Sequence, residues 1–266
     1  MPTLDLRTPA RAVGLTLDVP PHLHAAAIAT WHGRMVNEHG SAVIHEALAE
    51  QLERAGLPAA DVALCHRFGA QERHHGVLCG AVVEALGGEA RATIGEPERY
   101  PQHADASPIE AALRNVIHIN CMSETVAVAL VGAEREEMPE GPLHDLLTTI
   151  FSDECAHANF GWRLMRRALP DDAALKARLG QWLVVAFAHL EQHELSHLPM
   201  DVVPPPEGAL VGLCSGPDAR ALFYATVEAV IIPGFEALGL PARDAWARRH
   251  EADAKGLCSQ AASSAA

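Results

Sequence analysis

Gln71-Glu72-Arg73-His74-His75 and Asp153-Glu154-Cys155-Ala156-His157 are the two stretches whose reading decides what kind of fold this chain adopts. In each, a glutamate and a histidine stand three positions apart within a long run of helical apolar periodicity. On a helix that spacing brings both side chains to one face. A single Glu-x-x-His arises easily by chance; two of them, each on the second helix of a hairpin, form a pattern. With one glutamate from each remaining helix they make a six-ligand site for two metal ions. Four carboxylates offset the charge of two divalent cations, which is how a buried site tolerates so many acids.

The surrounding sequence supplies the helices. Ile28, Trp31, Met35, Ala42 and Leu52 recur at three- and four-residue steps, which predicts a helix over about 22–55. Gly56-Leu57-Pro58 stops it, and a second helix follows over about 59–86, closed by Gly87-Gly88. Residues 87–107 read as a long crossover. Ser107-Pro108-Ile109-Glu110 then starts a third helix with a cap, a first-turn proline and an early acid. It runs to about 137, and the turn Pro139-Glu140-Gly141-Pro142 leads into a fourth that ends at Ala168 before Pro170. Two short connections and one long one between four helices describe an all-α bundle over 21–170. Residues 1–20 are expected to be an irregular lead-in. Over 171–254 the sequence predicts additional C-terminal helices: a fifth capped by Asp171-Asp172 and ending near His197, then a Pro-rich loop, then a sixth over 217–238 that Pro233-Gly234 should break or kink. The small, polar residues 255–266 predict a disordered tail.

Within this frame Glu124 stands alone in the apolar run Cys121–Leu130, where an unpaired buried carboxylate is costly. It precedes Glu154 by 30 residues, centred on the Pro139–Pro142 turn, so an antiparallel hairpin sets the two at one level. In the first helix Glu38 and Glu46 precede Glu72 by 34 and 26 residues, and both lie near the apolar stripe. Turn geometry alone does not choose between them; Glu38 is the preferred candidate.

Composition narrows the function classes. A hydrophobic fraction of 49% with only 5% aromatics favours a helical core, and a net charge of −14 argues against nucleic acid or an anionic membrane as partner. No run of about 18 apolar residues lacks charge, so a membrane-spanning helix is not expected. The N-terminus lacks the pattern of a secretory signal. The six cysteines show no CxxC spacing, which points to a reduced, cytoplasmic protein. The 16 histidines suit metal or proton chemistry.

Over about 22–170 the pattern E…ExxH…E…ExxH resembles the ferritin-like diiron-carboxylate superfamily, in which each lone Glu precedes its motif by roughly 30–35 residues. Glu38 fits that separation and Glu46 does not. The resemblance implies a ferritin-like four-helix bundle holding two Fe ions, with a mixed Mn/Fe pair as the alternative, on Glu38, Glu72, His75, Glu124, Glu154 and His157. It also implies that Asp153 orients His75, with Gln71 as its counterpart on the other motif. The activity it implies is activation of O2 to oxidise a small organic substrate, with an electron donor and a homodimer as partners. An iron oxidase or peroxidase like ferritin or rubrerythrin is the runner-up, and a metal-free helical interaction protein the third reading. Residues after 170 exceed what iron storage needs, and the absence of CxxC removes a rubredoxin-like module. The only tyrosines, Tyr100 and Tyr224, fall outside the four helices, unlike a ribonucleotide-reductase small subunit.

Size and appended helices resemble the bacterial arylamine N-oxygenases, yet Ile150 occupies the position of their extra ligand histidine, and Val128 lacks the hydroxyl of multicomponent hydroxylases. Gly76 and Gly161, one turn from the ligands, predict either room for oxygen and substrate or close helix packing. Cys79 and Cys121 line the same region and read first as packing residues. His189, His193 and His197, with Glu191 and Glu194, form a four-residue-step stripe on the fifth helix; a solvated face is the plain reading and a second metal the sharper one.

Overall fold

In the computed structural model, which describes residues 2–95, 100–169 and 171–252, each long periodic run is a helix. The first elements are strand β1 (Thr3–Asp5), helix α1 (Arg7–Ala12), α2 (Pro21–Arg54), α3 (Ala59–Ala85) and strand β2 (Arg91–Thr93). Next come α4 (Pro108–Val116), a π-helical segment (Ile117–Ser123) and α5 (Glu124–Glu137), continuous with one another, then α6 (Pro142–Ala168) and α7 (Ala173–His197). A 3₁₀ turn (Pro206–Val211) leads to α8 (Gly216–Thr226), a second π segment (Val227–Ile231), α9 (Ile232–Ala237) and α10 (Ala242–Arg248).

The caps act as the sequence predicts. Gly56 and Gly87 take the left-handed conformation, φ +72° and +87°, that lets α2 and α3 end abruptly. Ser107 Oγ accepts from the Glu110 amide at 3.4 Å, and Asp172 accepts from the amides of Ala174 and Leu175.

The expectation of an irregular lead-in needs correction. The lead-in is ordered in part, because β1 pairs antiparallel with β2, Leu4 opposite Ala92, so the lead-in and the crossover tie each other down. The sixth helix is interrupted around Pro233, between α8 and α9. Proline lacks the amide that would bond Ala229, and the chain meets this by widening into a π turn just upstream. Helix α10 was not foreseen, its short run carrying too few apolar positions to show periodicity. Finally, Pro108–Glu137 is long and apolar enough by length and composition to cross a membrane; 50% of its most apolar window is buried inside the fold. The predicted tail at 255–266 lies outside the described residues.

α2 packs along α3, and α5 along α6. Their apolar residues fall into two clusters. One contains Leu48, Phe68, Met122 and Phe160, together with Phe187 of α7, Phe223 of α8, Phe235 of α9 and Trp246 of α10. The appended helices therefore share a core with the earlier ones. The other contains Trp31, Met35, Cys79 and Ile150 with Leu4 and Ala10. Along α2 the gap between the clusters spans Met35 to Leu48, along α3 Phe68 to Leu78, and along α6 Ile150 to Phe160. Every Glu-x-x-His residue lies in that gap, as a polar layer between two apolar ones.

Candidate metal centre

The polar layer gathers all six predicted residues. Glu38, Glu72, His75 and Glu154 form one group and Glu72, Glu124, Glu154 and His157 another, with the candidate ligand atoms of each lying within 4.8 Å of one another. Glu72 and Glu154 belong to both. These buried groups could hold metal ions. His75 and His157 are 0% exposed, Glu72 2%, Glu154 5% and Glu124 7%. Glu38 is the most accessible, its side chain 15% exposed. Glu46 is elsewhere: it pairs with Arg73 at 2.7 Å on the surface and belongs to neither group.

His75 Nδ1 lies 3.3 Å from Glu154, 3.6 Å from Glu38 and 3.7 Å from Glu72. His157 Nδ1 lies 3.0 Å from Glu72, 3.4 Å from Glu154 and 3.9 Å from Glu124. Their other nitrogens point outward, His75 Nε2 to Asp153 Oδ2 at 3.1 Å and His157 Nε2 to Gln71 Oε1 at 3.2 Å. Gln71 Nε2 donates to Asp153 Oδ1 at 2.5 Å and closes the chain. Within it both Nε2 atoms donate and the Gln71 amide donates to the carboxylate, which leaves both Nδ1 atoms facing the acids, where a cation would take their lone pairs. Neither Nδ1 has a hydrogen-bond partner. A buried nitrogen aimed at carboxylates with no proton to share suits a cation between them.

Left to themselves, the side chains balance charge with protons. Burial, reinforced by neighbouring carboxylates, pushes Glu38 and Glu124 well above the usual carboxylate range. Burial acts the same way on Glu72 and Glu154, but the neighbouring imidazoles of His157 and His75 prevail, holding Glu72 well below that range and Glu154 at about 2. Desolvation opposes charge on the histidines, yet the acids raise His75 and lift His157 to about 9. Two divalent cations would take the place of these protons.

Two features were not foreseen. His45, on α2, is 0% exposed and forms a third group of potential ligands with Glu124 and His157. Its Nε2 is 3.5 Å from Glu124 Oε1 and its Nδ1 3.9 Å from Glu72 Oε1. Burial draws its imidazole down to about 4. The signal was present: His45 follows Glu38 by seven residues, two turns along the same face, but it was one histidine among 16. The other feature is the π segment before Glu124, which no residue in Ile117–Ser123 announces. It brings Asn120 inward, where Nδ2 donates to the His157 carbonyl at 3.3 Å and sits 3.3 Å from His45 Nε2.

Gly161 exists for that segment. A Cβ there would lie 2.5 Å from Asn120 Cβ and 2.9 Å from the Asn120 carbonyl carbon, so it permits close helix approach and opens no room for substrate. A Cβ on Gly76 would meet Met35, Glu38 and Leu6 at 3.5–3.7 Å, which is also ordinary packing. Cys79, Cys121 and Ile150 are buried in the two apolar clusters, and Val128 is half-buried. Phe68 covers the His157 ring at 4.4 Å and keeps that side apolar. The histidine stripe of α7 stands apart. His189 Nδ1 meets His118 Nε2 at 2.9 Å, His193 stacks on His189, and Glu191 pairs with Arg249 at 2.8 Å.

The chain matches no family model, no curated protein and no solved structure.

Proposed function

We propose that this chain is a non-haem diiron enzyme on a ferritin-like four-helix bundle, an oxygenase or oxidase that uses O2 to oxidise a small organic molecule. The observation that carries the reading is the pair of partnerless Nδ1 atoms of His75 and His157, each facing buried carboxylates while its Nε2 is held from behind. Glu38 with His75 would hold one ion and Glu124 with His157 the other, with Glu72 and Glu154 between them. When bound, two ferrous ions supply electrons and Lewis acidity for reducing O2.

The chain's own residues would do the rest. The Asp153–Gln71 bridge fixes ring orientation and proton placement on both histidines. Phe68 and the flanking clusters keep bulk water from the layer, which strengthens electrostatic interactions inside it. Glu38, the most accessible of the acids, marks the side from which small molecules arrive. For a hydroxylation or N-oxygenation, one oxygen atom enters the substrate and the other leaves as water, with two electrons and two protons from an external donor. Oxidation of an organic molecule is favoured over storage because α7–α10 are packed into the core beside the centre, an investment that iron storage does not require.

The test is oxygen uptake by anaerobically loaded ferrous protein supplied with a chemical reductant and fractionated small-molecule extract. Incorporation of label from ¹⁸O₂ into one fraction, at a metal content that stays stoichiometric, is the expected result. Uptake no faster than that of free ferrous iron, or growth of an iron mineral at many ions per chain, would refute it.

A further inference from the structure

The proposed six-residue ligand set leaves His45 unexplained. It is fully buried in the C-terminal half of α2, and both ring nitrogens face the polar layer: Nε2 towards Glu124 and Nδ1 towards Glu72. Three imidazole Nδ1 atoms in the described residues are buried without a hydrogen-bond partner, and they are those of His45, His75 and His157. The His45 ring lies 5.3 Å from that of His157, centroid to centroid, with Phe68 against both. The Ser41 backbone and the Asn120 amide lie beside the ring, yet both its nitrogens are turned towards carboxylates, on the same side as a predicted ligand two turns earlier.

We propose, resting on the diiron reading above, that His45 is a seventh metal ligand. The two metal positions are then chemically unequal. One takes a single imidazole, His75, with Glu38. The other takes two, His45 and His157, with Glu124, the set whose ligand atoms fall within 4.8 Å. One more imidazole at the second position, beside the same number of carboxylates, favours metals that prefer nitrogen ligands, so the two ions differ in affinity and in redox behaviour. The extra histidine comes from α2, a helix other than the one bearing Ile150. Asn120, 3.3 Å from His45 Nε2, offers the competing role: His45 as a positioning residue behind Glu124 and His157 that touches no metal.

The experiment loads the full-length protein anaerobically with Co(II) and counts hyperfine-shifted, exchangeable imidazole N–H resonances by paramagnetic NMR. Metal content is measured on the same samples. Wild type is expected to show three such resonances at two Co(II) per chain. His45→Ala should show two resonances and lose at least tenfold in affinity at one position only, and added imidazole should restore it. His45→Gln, which keeps polarity and bulk, guards against a folding artefact and should behave as His45→Ala. Two shifted resonances in wild type, or two tightly bound Co(II) in both variants with an unchanged d–d spectrum, would overturn the assignment and leave the diiron reading standing. Wild type that binds no Co(II) would overturn both.

Discussion

Asp153→Asn is a nearly isosteric change with an uneven consequence. Asp153 accepts on both oxygens, from His75 Nε2 at 3.1 Å and from Gln71 Nε2 at 2.5 Å. Asparagine has one acceptor and one donor. If its amide nitrogen faces His75, that ring must carry its proton on Nδ1, and the lone pair facing the acids is lost. If it faces Gln71, the Gln71 amide must turn over and present a donor to His157 Nε2, and the same loss falls on His157. Each arrangement sacrifices one ligand nitrogen or leaves two donors opposed, at about 1–3 kcal/mol for the unsatisfied group. Loss of a residue behind a metal ligand weakens metal binding about 10–100-fold, or roughly 1.4–2.7 kcal/mol. Because the Asp153 side chain is 24% exposed, solvent screens part of the lost charge, and the lower half of that range is expected. Competition between protein and a chelator for Fe(II) under anaerobic conditions reads this directly. Asp153→Ala creates no opposed donor and admits water, so it should be no worse than Asp153→Asn. Binding by Asp153→Asn within threefold of wild type, or an alanine variant far weaker than the asparagine one, would refute this proton placement.

Gly161→Ala forces a Cβ against Asn120 at 2.5 Å and should destabilise by about 1–3 kcal/mol, seen as a fall in Tm; an unchanged Tm would show that α6 does not need the close approach. Burial, with His189 and His193 beside it, holds the His118 imidazole well below its ordinary 6.5. The unfolded chain therefore takes up the proton first, so this stability is present above pH 6.5 and is lost as the pH falls, at up to about 1.4 kcal/mol per pH unit. Between pH 7 and pH 5, wild type should lose more urea resistance than His118→Gln, and equal losses would contradict the assignment.

The helices were legible because their stop signals are strong: Gly56 before Pro58, Gly87 after α3, Ser107 before Pro108. The two Glu-x-x-His motifs were equally plain, since three-residue spacing on a helix fixes a shared face whatever surrounds it. What escaped depends on contact between distant segments. β1 and β2 are three residues each and exist only as partners. The π segments alter helical phase by local widening, which a run such as Ile117–Met122 carries without a sequence marker. The role of Gly161 depends on that widening, and so its close packing could not be told from open space. His45 was hidden for a different reason: an isolated histidine two turns from Glu38 gains meaning only when Glu124 and His157 arrive from other helices.

On the proposed function, the acids of the polar layer are there for cations. This is tested most directly by the iron content of wild type, Glu72→Ala and Glu154→Ala after anaerobic loading and desalting, with circular dichroism to confirm helix content. The expected result is about two irons per wild-type chain and a large loss in both variants with helicity unchanged. An iron-free wild type, or iron undiminished in both variants, would contradict it.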